Sequence, residues 1–335
     1  MRCQTMRGGR RQAAQGRLKP APTLDRRHVL SGGMAGLLTL CASPLLALQR
    51  ANPAGGARKL TDSISVLDGG GSNIVALSSA DGLVLVDTGA PNNGDRVMAA
   101  LKGLGGNTRV HTVFNTHYHP AQTGNNEVFA EAGAKIVAHD RTRQWMSVDH
   151  WLPDQSRYQK ARPKAAWPTD VFFNTGSQTI STAQAGSERI DFGYLLVAHT
   201  AGDIYVHFKD SNVLAVGDVA SPINDPALDW ITGAWMGGRV SAMDLLLKIG
   251  NDQTRVVPGT GPVMTWAEFK AERELMETVR QRLFKQIRQG DGPQDMVDGG
   301  VLQGLARTWK DPYTFLYAAA RGLWGNHNKL DPDVV

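Results

Sequence analysis

Short apolar runs separated by turn-forming residues dominate the chain after residue 60. The runs 63–68, 73–79 and 82–87 are rich in Val, Ile and Leu, and Asp-Gly pairs separate them. This pattern predicts antiparallel strands joined by turns. Val110 to Phe114 predicts a buried strand, and a helical pattern over Asn92–Leu104 precedes it.

The second half repeats this strand-rich character and then becomes helical. Strands are predicted over 135–138, 178–184, 188–197, 204–209, 212–217 and 255–257. Helices are predicted near 125–132, over 238–249 as an amphipathic helix, over 294–308 and over 312–323. Thr265 and Glu268 form a capping-box pattern that begins a long helix ending near 289. Residues 147–170 have no regular period and hold His150, which predicts a binding loop.

Composition and charge describe an ordinary globular protein with an unusual N-terminal segment. The chain has 335 residues, of which 41% are hydrophobic and 20% charged, enough for one large domain or two small ones. Residues 1–50 hold nine of the 36 Lys and Arg but only one of the 31 Asp and Glu. Residues 51–335 therefore carry 27 basic and 30 acidic residues, a formal charge of about −3. Nothing in this balance indicates a nucleic-acid partner.

Residues 1–50 have the features of an export signal. Arg26-Arg27 is a twin-arginine pair, and an apolar stretch from Val29 to Leu48 follows it. A transmembrane anchor is the alternative, although the stretch is short for a bilayer core. We expect twin-arginine export to the periplasm, with no stable membrane insertion after signal removal. Both cysteines, Cys3 and Cys41, lie in this segment, so residues 51–335 have neither disulfides nor thiolate metal ligands.

A pair of histidines directly follows the strand at 110–114. His117 and His119 are two residues apart, so in an extended chain their side chains project to the same side. Two imidazoles delivered together from a strand end make half of a tetrahedral metal site. A polar loop without a metal is the alternative.

This segment resembles the signature loop of the metallo-β-lactamase superfamily, whose usual form is His-x-His-x-Asp-His after a short strand. Residues 60 to 265 follow the superfamily's order of landmarks. Two positions depart from the pattern, because Ala121 stands where the family has Asp and Gln122 where it has His. The resemblance implies an α+β fold, a four-layer αββα sandwich with a helical C-terminal extension. It implies one domain over 51–335, with a core at about 60–265 and C-terminal helices at about 265–325.

The resemblance continues through the second half and implies the remaining site residues. His199, within 198–203, takes the place of the family's third histidine. Asp218, after Gly217 at a strand end, takes the place of the bridging carboxylate, and Thr260 replaces the last histidine. Asp87, at the end of the third strand, resembles the acid that steadies the metal loop through hydrogen bonds. A turn or helix cap is the alternative for Asp87.

The implied ligand set favours one metal ion, held by three histidines with Asp218 beside them. Ala121 cannot coordinate a metal, and the side chains of Gln122 and Thr260 are weak neutral donors. A catalytic zinc needs three protein ligands and an open position for water. Asp218 is then the predicted catalytic residue, orienting the water or accepting its proton, with Asp87 and Gln122 next to the ligands. If Asp218 instead binds the metal directly, the site is closed and structural.

The predicted function is a metal-dependent hydrolase that holds one zinc ion and acts on a small ester, lactone or amide. Trp151, Trp230 and Trp235 are candidate pocket walls, and each can equally be ordinary core. His150 is a candidate for a missing ligand. The expected partner is a small-molecule substrate.

Two other functions fit the same residues. His117, His199 and Asp218 match the two-histidine, one-carboxylate iron set of the superfamily's persulfide dioxygenases. That reading makes the cofactor iron and leaves His119 without a role. The second alternative is a pseudo-hydrolase that binds a ligand on the same scaffold without catalysis.

Overall fold

Two β-sheets account for most of the fold. The computed structural model describes residues 56–183 and 186–326, so the predicted export signal over 1–50 lies outside the described residues. The strands are β1 Ala57–Lys59, β2 Ile64–Asp68, β3 Asn73–Ser79, β4 Gly82–Val86, β5 Val110–Phe114, β6 Lys135–His139, β7 His150–Leu152, β8 Arg157–Gln159, β9 Asp170–Phe172, β10 Thr175–Ser181, β11 Ser187–Tyr194, β12 Ile204–Phe208, β13 Val213–Gly217 and β14 Arg255–Pro258.

The first sheet has the order β1-β2-β3-β4-β5-β6-β9, and the second has the order β10-β11-β12-β13-β14. Neighbours from β1 to β4 are antiparallel, and those from β4 to β9 are parallel. In the second sheet only the last pair, β13 and β14, is parallel. The strands β7 and β8 form a separate two-stranded hairpin.

The helices lie between and after these strands. They are α1 Gly94–Lys102, α2 Pro120–Thr123, α3 Asn126–Glu131, α4 Asp140–Ser147, α5 Met236–Leu247, α6 Trp266–Gln289, α7 Pro293–Asp298 and α8 Pro312–Gly325. Short 3-10 turns occur at Pro153–Gln155, Lys164–Ala166 and Trp230–Thr232. Within 56–183 and 186–326 no helix has both the length and the apolar character needed to cross a bilayer.

Three apolar clusters show how the layers stack. One cluster joins the facing sides of the two sheets, with Phe114 from the first and Phe208 from the second. Another packs Val97 of α1 and Phe129 of α3 on the outer side of the first sheet. The largest packs α5, α6 and α8 on the outer side of the second sheet. Each sheet thus buries both faces, which confirms the predicted α+β, four-layer αββα sandwich with C-terminal helices.

Most of the predicted elements are confirmed, and the exceptions have identifiable causes. The helix predicted over 294–308 ends at Asp298, because Gly299 and Gly300 follow and Gly300 has φ +68°. The helix predicted as amphipathic over 238–249 is α5, buried on nearly all sides between the second sheet and the other C-terminal helices. The segment 147–170 holds the β7–β8 hairpin, and β9 pairs with β6 directly after it.

Several strands deliver their carboxyl ends to one edge of the sandwich. Parallel pairing aligns the ends of β4 and β5, and likewise those of β13 and β14. Because β11 and β13 are both antiparallel to β12, the end of β11 reaches the edge where β13 ends. The segments that follow these five strands hold all of the predicted metal-site residues.

Candidate metal centre

The loop after β5 is held in place by a buried carboxylate on the neighbouring strand end. Asp87, directly after β4, accepts hydrogen bonds from the backbone N–H of Thr116 (2.8 Å) and from its hydroxyl (2.7 Å). Burial raises the pKa of Asp87 to about 8, although the two bonds from Thr116 lower it. Asp87 therefore bonds to the residue immediately before His117 and fixes the start of the histidine loop.

A second buried carboxylate shapes the turn that carries His199. Asp203 accepts from the backbone N–H groups of His199 (2.6 Å) and Thr200 (2.7 Å), and from the Thr200 hydroxyl (2.7 Å). These bonds close the turn between β11 and β12. They point the His199 side chain toward the loop after β5.

Three imidazoles meet at this point. His117, His119 and His199 each offer a ring nitrogen, and these three atoms lie within 4.8 Å of one another. The closest pair is Nδ1 of His119 and Nε2 of His199, at 3.1 Å. Two nitrogens bound tetrahedrally to one zinc at about 2.05 Å lie roughly 3.3 Å apart, so this spacing suits one shared cation.

Hydrogen bonds on the far side of each ring determine which nitrogen carries a proton. Nδ1 of His199 lies 2.8 Å from the carbonyl oxygen of Ala227, which can only accept. Nε2 of His119 lies 3.3 Å from a carboxylate oxygen of Asp229. Both outer nitrogens are therefore donors, and Nε2 of His199 presents a lone pair toward Nδ1 of His119, 3.1 Å away. Burial lowers the pKa of His199 to about 3, with further lowering by His119, so its ring is neutral.

His117 directs a third ring nitrogen to the same point. Its Nδ1 lies 3.0 Å from the Thr116 hydroxyl, which already donates its proton to Asp87. Its Nε2 is fully buried and has no hydrogen-bond partner among the described residues. Burial, followed by the neighbouring His199 and His119 rings, holds the pKa of His117 well below its usual value. An orphaned buried nitrogen beside two other converging imidazole nitrogens fits a metal ion.

Asp218 lies beside the three histidines without a direct hydrogen bond to them. Its Oδ2 is 3.6 Å from Nε2 of His117 and 3.7 Å from Nε2 of His199. The side-chain amide of Gln122 donates to the same oxygen at 3.1 Å. Gly259 packs against the other side, since a Cβ there would lie 2.2 Å from Oδ1 of Asp218. The carboxylate is thus clamped between an amide donor and a glycine.

The other replaced positions are structural parts of the same edge. The Ala121 carbonyl accepts a hydrogen bond from the Ser72 hydroxyl at 2.7 Å. Thr260 lies in a turn whose carbonyls at Pro258 and Gly261 accept from the side chain of Asn73, both at 2.8 Å. The β2–β3 turn therefore ties the histidine loop to the turn after β14.

Two further residues support the histidines. Asp229 accepts from the Tyr118 hydroxyl at 2.5 Å as well as facing His119. Burial alone would raise the pKa of Asp229, but the bonds from His119 and Tyr118 lower it overall, so it is ionised. Fully buried Arg239 donates to the Ala227 carbonyl at 3.1 Å, the same oxygen that orients His199. Sequence reasoning missed both, although a lone Arg in an apolar helix was a visible signal for Arg239.

A cavity of about 440 Å³ adjoins the histidines, within the roughly 300–1,000 Å³ typical of small-molecule sites. His119 and His199 form one wall, the segment 225–231 another, and residues of α8 a third. Trp230 is among the lining residues. Trp151 lies on the β7–β8 hairpin, 44% exposed, against Tyr158. Trp235 packs with the C-terminal apolar cluster.

His150 packs against aromatic rings and lies outside the histidine cluster. Its ring centroid lies 5.8 Å from that of Tyr118 and 4.9 Å from that of Trp145, both edge-on. The metal-compatible group in the described part of the chain comprises His117, His119 and His199. His150 thus supports the Tyr118 ring.

Comparison with known proteins agrees with this architecture. A stereoselective inverting sec-alkylsulfatase from Pseudomonas sp. is similar over 83% of this chain and 52% of its own, with a TM-score of 0.60 and 13% identity. A metallo-beta-lactamase from Pontibacter korlensis is similar over 66% of this chain and 98% of its own, with a TM-score of 0.52 and 18% identity. The chain spans about half the length of the alkylsulfatase structures it matches. At these identities the likeness establishes the fold alone.

A family model for the metallo-beta-lactamase superfamily matches residues 67–260. The matched segment is more than half of the chain, and it contains Asp87, the three histidines, Asp218 and Thr260. Members of this superfamily use metal ions, and the histidine triad that could hold one is present here. The chain belongs to the metallo-beta-lactamase superfamily.

Proposed function

We propose that this protein is an exported hydrolase that holds one zinc ion and cleaves a small ester, lactone or amide. The observation that carries the proposal is the meeting of three imidazole rings, with Nδ1 of His119 and Nε2 of His199 only 3.1 Å apart. Three histidine ligands with a free fourth position are a typical catalytic zinc set. The adjoining cavity gives a small molecule access to His119 and His199.

His117, His119 and His199 would hold the zinc ion, which would supply Lewis acidity toward a carbonyl and lower the pKa of a water molecule to about 7. The chain supplies the remaining functions. Asp218, held by Gln122 and Gly259, accepts a proton from the attacking water as the carbonyl carbon is attacked. That proton then passes to the leaving alcohol or amine. The products are a carboxylic acid and that alcohol or amine.

A single metal is favoured by the side chains around Asp218. Ala121 has no donor atom in its side chain. The Gln122 amide directs an N–H group toward Asp218, and an N–H group cannot bind a cation. Neutral imidazoles without thiolates suit zinc among the common metals, although iron accepts the same donors. Export is inferred from Arg26-Arg27 and the apolar stretch that follows.

The iron-oxygenase alternative uses His117, His199 and Asp218 and leaves His119 aside. The 3.1 Å spacing between His119 and His199, and the carboxylate behind His119, favour a role for all three histidines. The zinc hydrolase is therefore the better supported function.

Metal analysis combined with a substrate panel tests the proposal. The purified protein should contain about one zinc per chain and hydrolyse at least one of a panel of p-nitrophenyl esters, lactones and anilides. Dialysis against a chelator should abolish the activity, and zinc should restore it. One iron per chain with oxygen consumption on a persulfide would favour the oxygenase. A metal-free protein of full stability would favour a ligand-binding role.

A further inference from the structure

The cavity beside the histidines is acidic. The charged side chains that line it are Asp154, Asp225, Asp229 and Asp311, and no Lys or Arg from the described residues is among its lining. Asp229 faces His119 and Tyr118. The other three carboxylates come from the β7–β8 hairpin (Asp154), the segment 225–231 (Asp225) and the residue before α8 (Asp311). The lining is therefore negatively charged outside the metal centre itself.

Each of these three carboxylates is held in place by the fold. Asp154 accepts from the Tyr317 hydroxyl (3.2 Å) and from the indole N–H of Trp230 (3.3 Å). Asp311 is the N-cap of α8 and accepts from the backbone N–H and hydroxyl of Thr314. Asp225 accepts from the backbone N–H groups of Lys310 and Asp311. Neutral donors hold all three, so their negative charges remain uncompensated by these partners.

Three cations near the cavity lie outside its lining. Arg307 interacts electrostatically with Asp225 and donates to the carbonyl oxygens of Ser221 and Asn224. The guanidinium of Arg321 lies over the Trp230 ring at 4.6 Å and near the Tyr317 ring at 5.9 Å. Lys310 Nζ donates to the Asn224 side chain at 2.7 Å. Arg321 thus packs behind the aromatic side chains that line the cavity, and no cation is presented to an anion inside it.

Apolar side chains complete the lining between the carboxylates. They are Leu152, Pro226, Leu228, Ile231, Phe315 and Ala318. An apolar group buried there gains from removal of its surface from water. An anionic group buried there loses hydration and faces like charges.

We propose that this cavity binds the non-reacting arm of the substrate, and that it selects an apolar arm without negative charge while accepting a cationic end. The inference rests on the proposed function, because it assumes that the reacting group sits at the histidines. It names the substrate class as neutral or cationic acyl compounds. Asp154 and Asp311 are the specificity-determining residues.

Binding of matched hydroxamic acids to the zinc-loaded protein tests this selection without requiring turnover. Three octyl-length hydroxamates carry a methyl, a trimethylammonium or a carboxylate group at the end of the arm. Calorimetry at low salt should show the carboxylate arm binding about tenfold more weakly than the methyl arm. The trimethylammonium arm should bind at least as well as the methyl arm.

Variants locate the effect. Asp154→Asn combined with Asp311→Asn keeps a hydrogen-bond acceptor at both positions and the helix cap at position 311. This double variant should reduce the tenfold difference in affinity to about threefold. Asp154→Asn alone, at an exposed hairpin position, should give a smaller change and serves if the double variant does not fold. Asp252→Asn removes an exposed carboxylate that pairs with Lys270 outside the cavity, and should leave the difference unchanged.

Equal binding of the three arms, or tightest binding of the carboxylate arm, would overturn the inference. Esters with the same three arms separate it from the proposed function. Charge-selective binding without hydrolysis of any ester would leave the inference standing and reject the hydrolase. Hydrolysis of all three esters at equal kcat/KM, with equal hydroxamate binding, would do the reverse.

Discussion

Oδ2 of Asp229 lies 3.3 Å from Nε2 of His119, which leaves Nδ1 of that ring directed at Nε2 of His199. A carboxylate behind a metal-binding imidazole fixes the ring orientation and its tautomer, and raises the basicity of the other nitrogen. Asp229 is thus a positioning residue for the metal centre, supplied by a segment that begins about 110 residues after His119.

Asp229→Asn is expected to weaken zinc binding by about 10- to 100-fold, because the amide no longer attracts the Nε2 proton of His119. Competition with a fluorescent chelator measures the dissociation constant. Tyr118→Phe is the matched control, since it removes the other hydrogen bond to Asp229 and leaves the His119 contact in place. Equal loss of zinc affinity in both variants would show that Asp229 acts only through local packing.

Metal removal is expected to destabilise the protein, because an ion that binds only the folded state stabilises that state. Zinc at about 1,000 times its dissociation constant stabilises the folded state by about 4 kcal/mol. A chelator should lower the Tm of the wild-type protein accordingly. His199→Ala should contain no zinc and show a Tm that the chelator does not change. His150→Ala should retain one zinc per chain, and loss of metal in that variant would place His150 among the ligands.

Gln122→Met is expected to lower kcat by about tenfold with zinc content and KM unchanged, because Asp218 loses the amide that orients it. Methionine preserves the volume and removes the hydrogen bond. Steady-state kinetics with metal analysis on the same preparation separates the effects. A parallel loss of zinc and activity would mean that Gln122 supports the metal instead of the carboxylate.

Protonation of His207 is expected to destabilise the fold in acid. His207 is buried in β12, where burial and then Lys209 lower its pKa to about 4 in the folded state, against a small opposing effect of Asp191. The unfolded chain therefore binds a proton between about pH 6.5 and pH 4 that the folded chain does not. The stability is fully present above this window and is lost as the pH falls through it, by about 2 kcal/mol at pH 5.

His207→Gln removes this titration, so its free energy of unfolding should depend less on pH than that of the wild-type protein. Urea denaturation at pH 5 and pH 7.5, with a chelator present to exclude metal loss, measures the difference. Identical pH dependence in the two proteins would show that His207 is not a source of acid sensitivity.

The strands and the histidines could be predicted because their signals are local. The apolar runs at 73–79 and 110–114 match β3 and β5, and the spacing of His117 and His119 follows directly from the strand end. His199 and Asp218 could be predicted through the resemblance to the family's turns. The structure brings these residues together at one edge of the sandwich.

The supporting residues and the cavity could not be predicted, because they depend on tertiary contacts between distant segments. Asp229 lies in an irregular stretch with no motif, and its partners Tyr118 and His119 precede it by more than a hundred residues. The carboxylate of Asp154 meets Tyr317 across 163 positions. The spacing of apolar residues predicts which face of α8 is buried. It does not predict that Tyr317 on this helix contacts Asp154 of the β7–β8 hairpin.

The helix α8 brings a late part of the chain to the cavity beside the histidines. The histidines and Asp218 all precede α5, whereas Thr314, Phe315 and Tyr317 form a cavity wall from a helix that begins at Pro312. A substitution of Thr314 or Tyr317 therefore changes the cavity wall at a point remote in sequence from every proposed metal ligand.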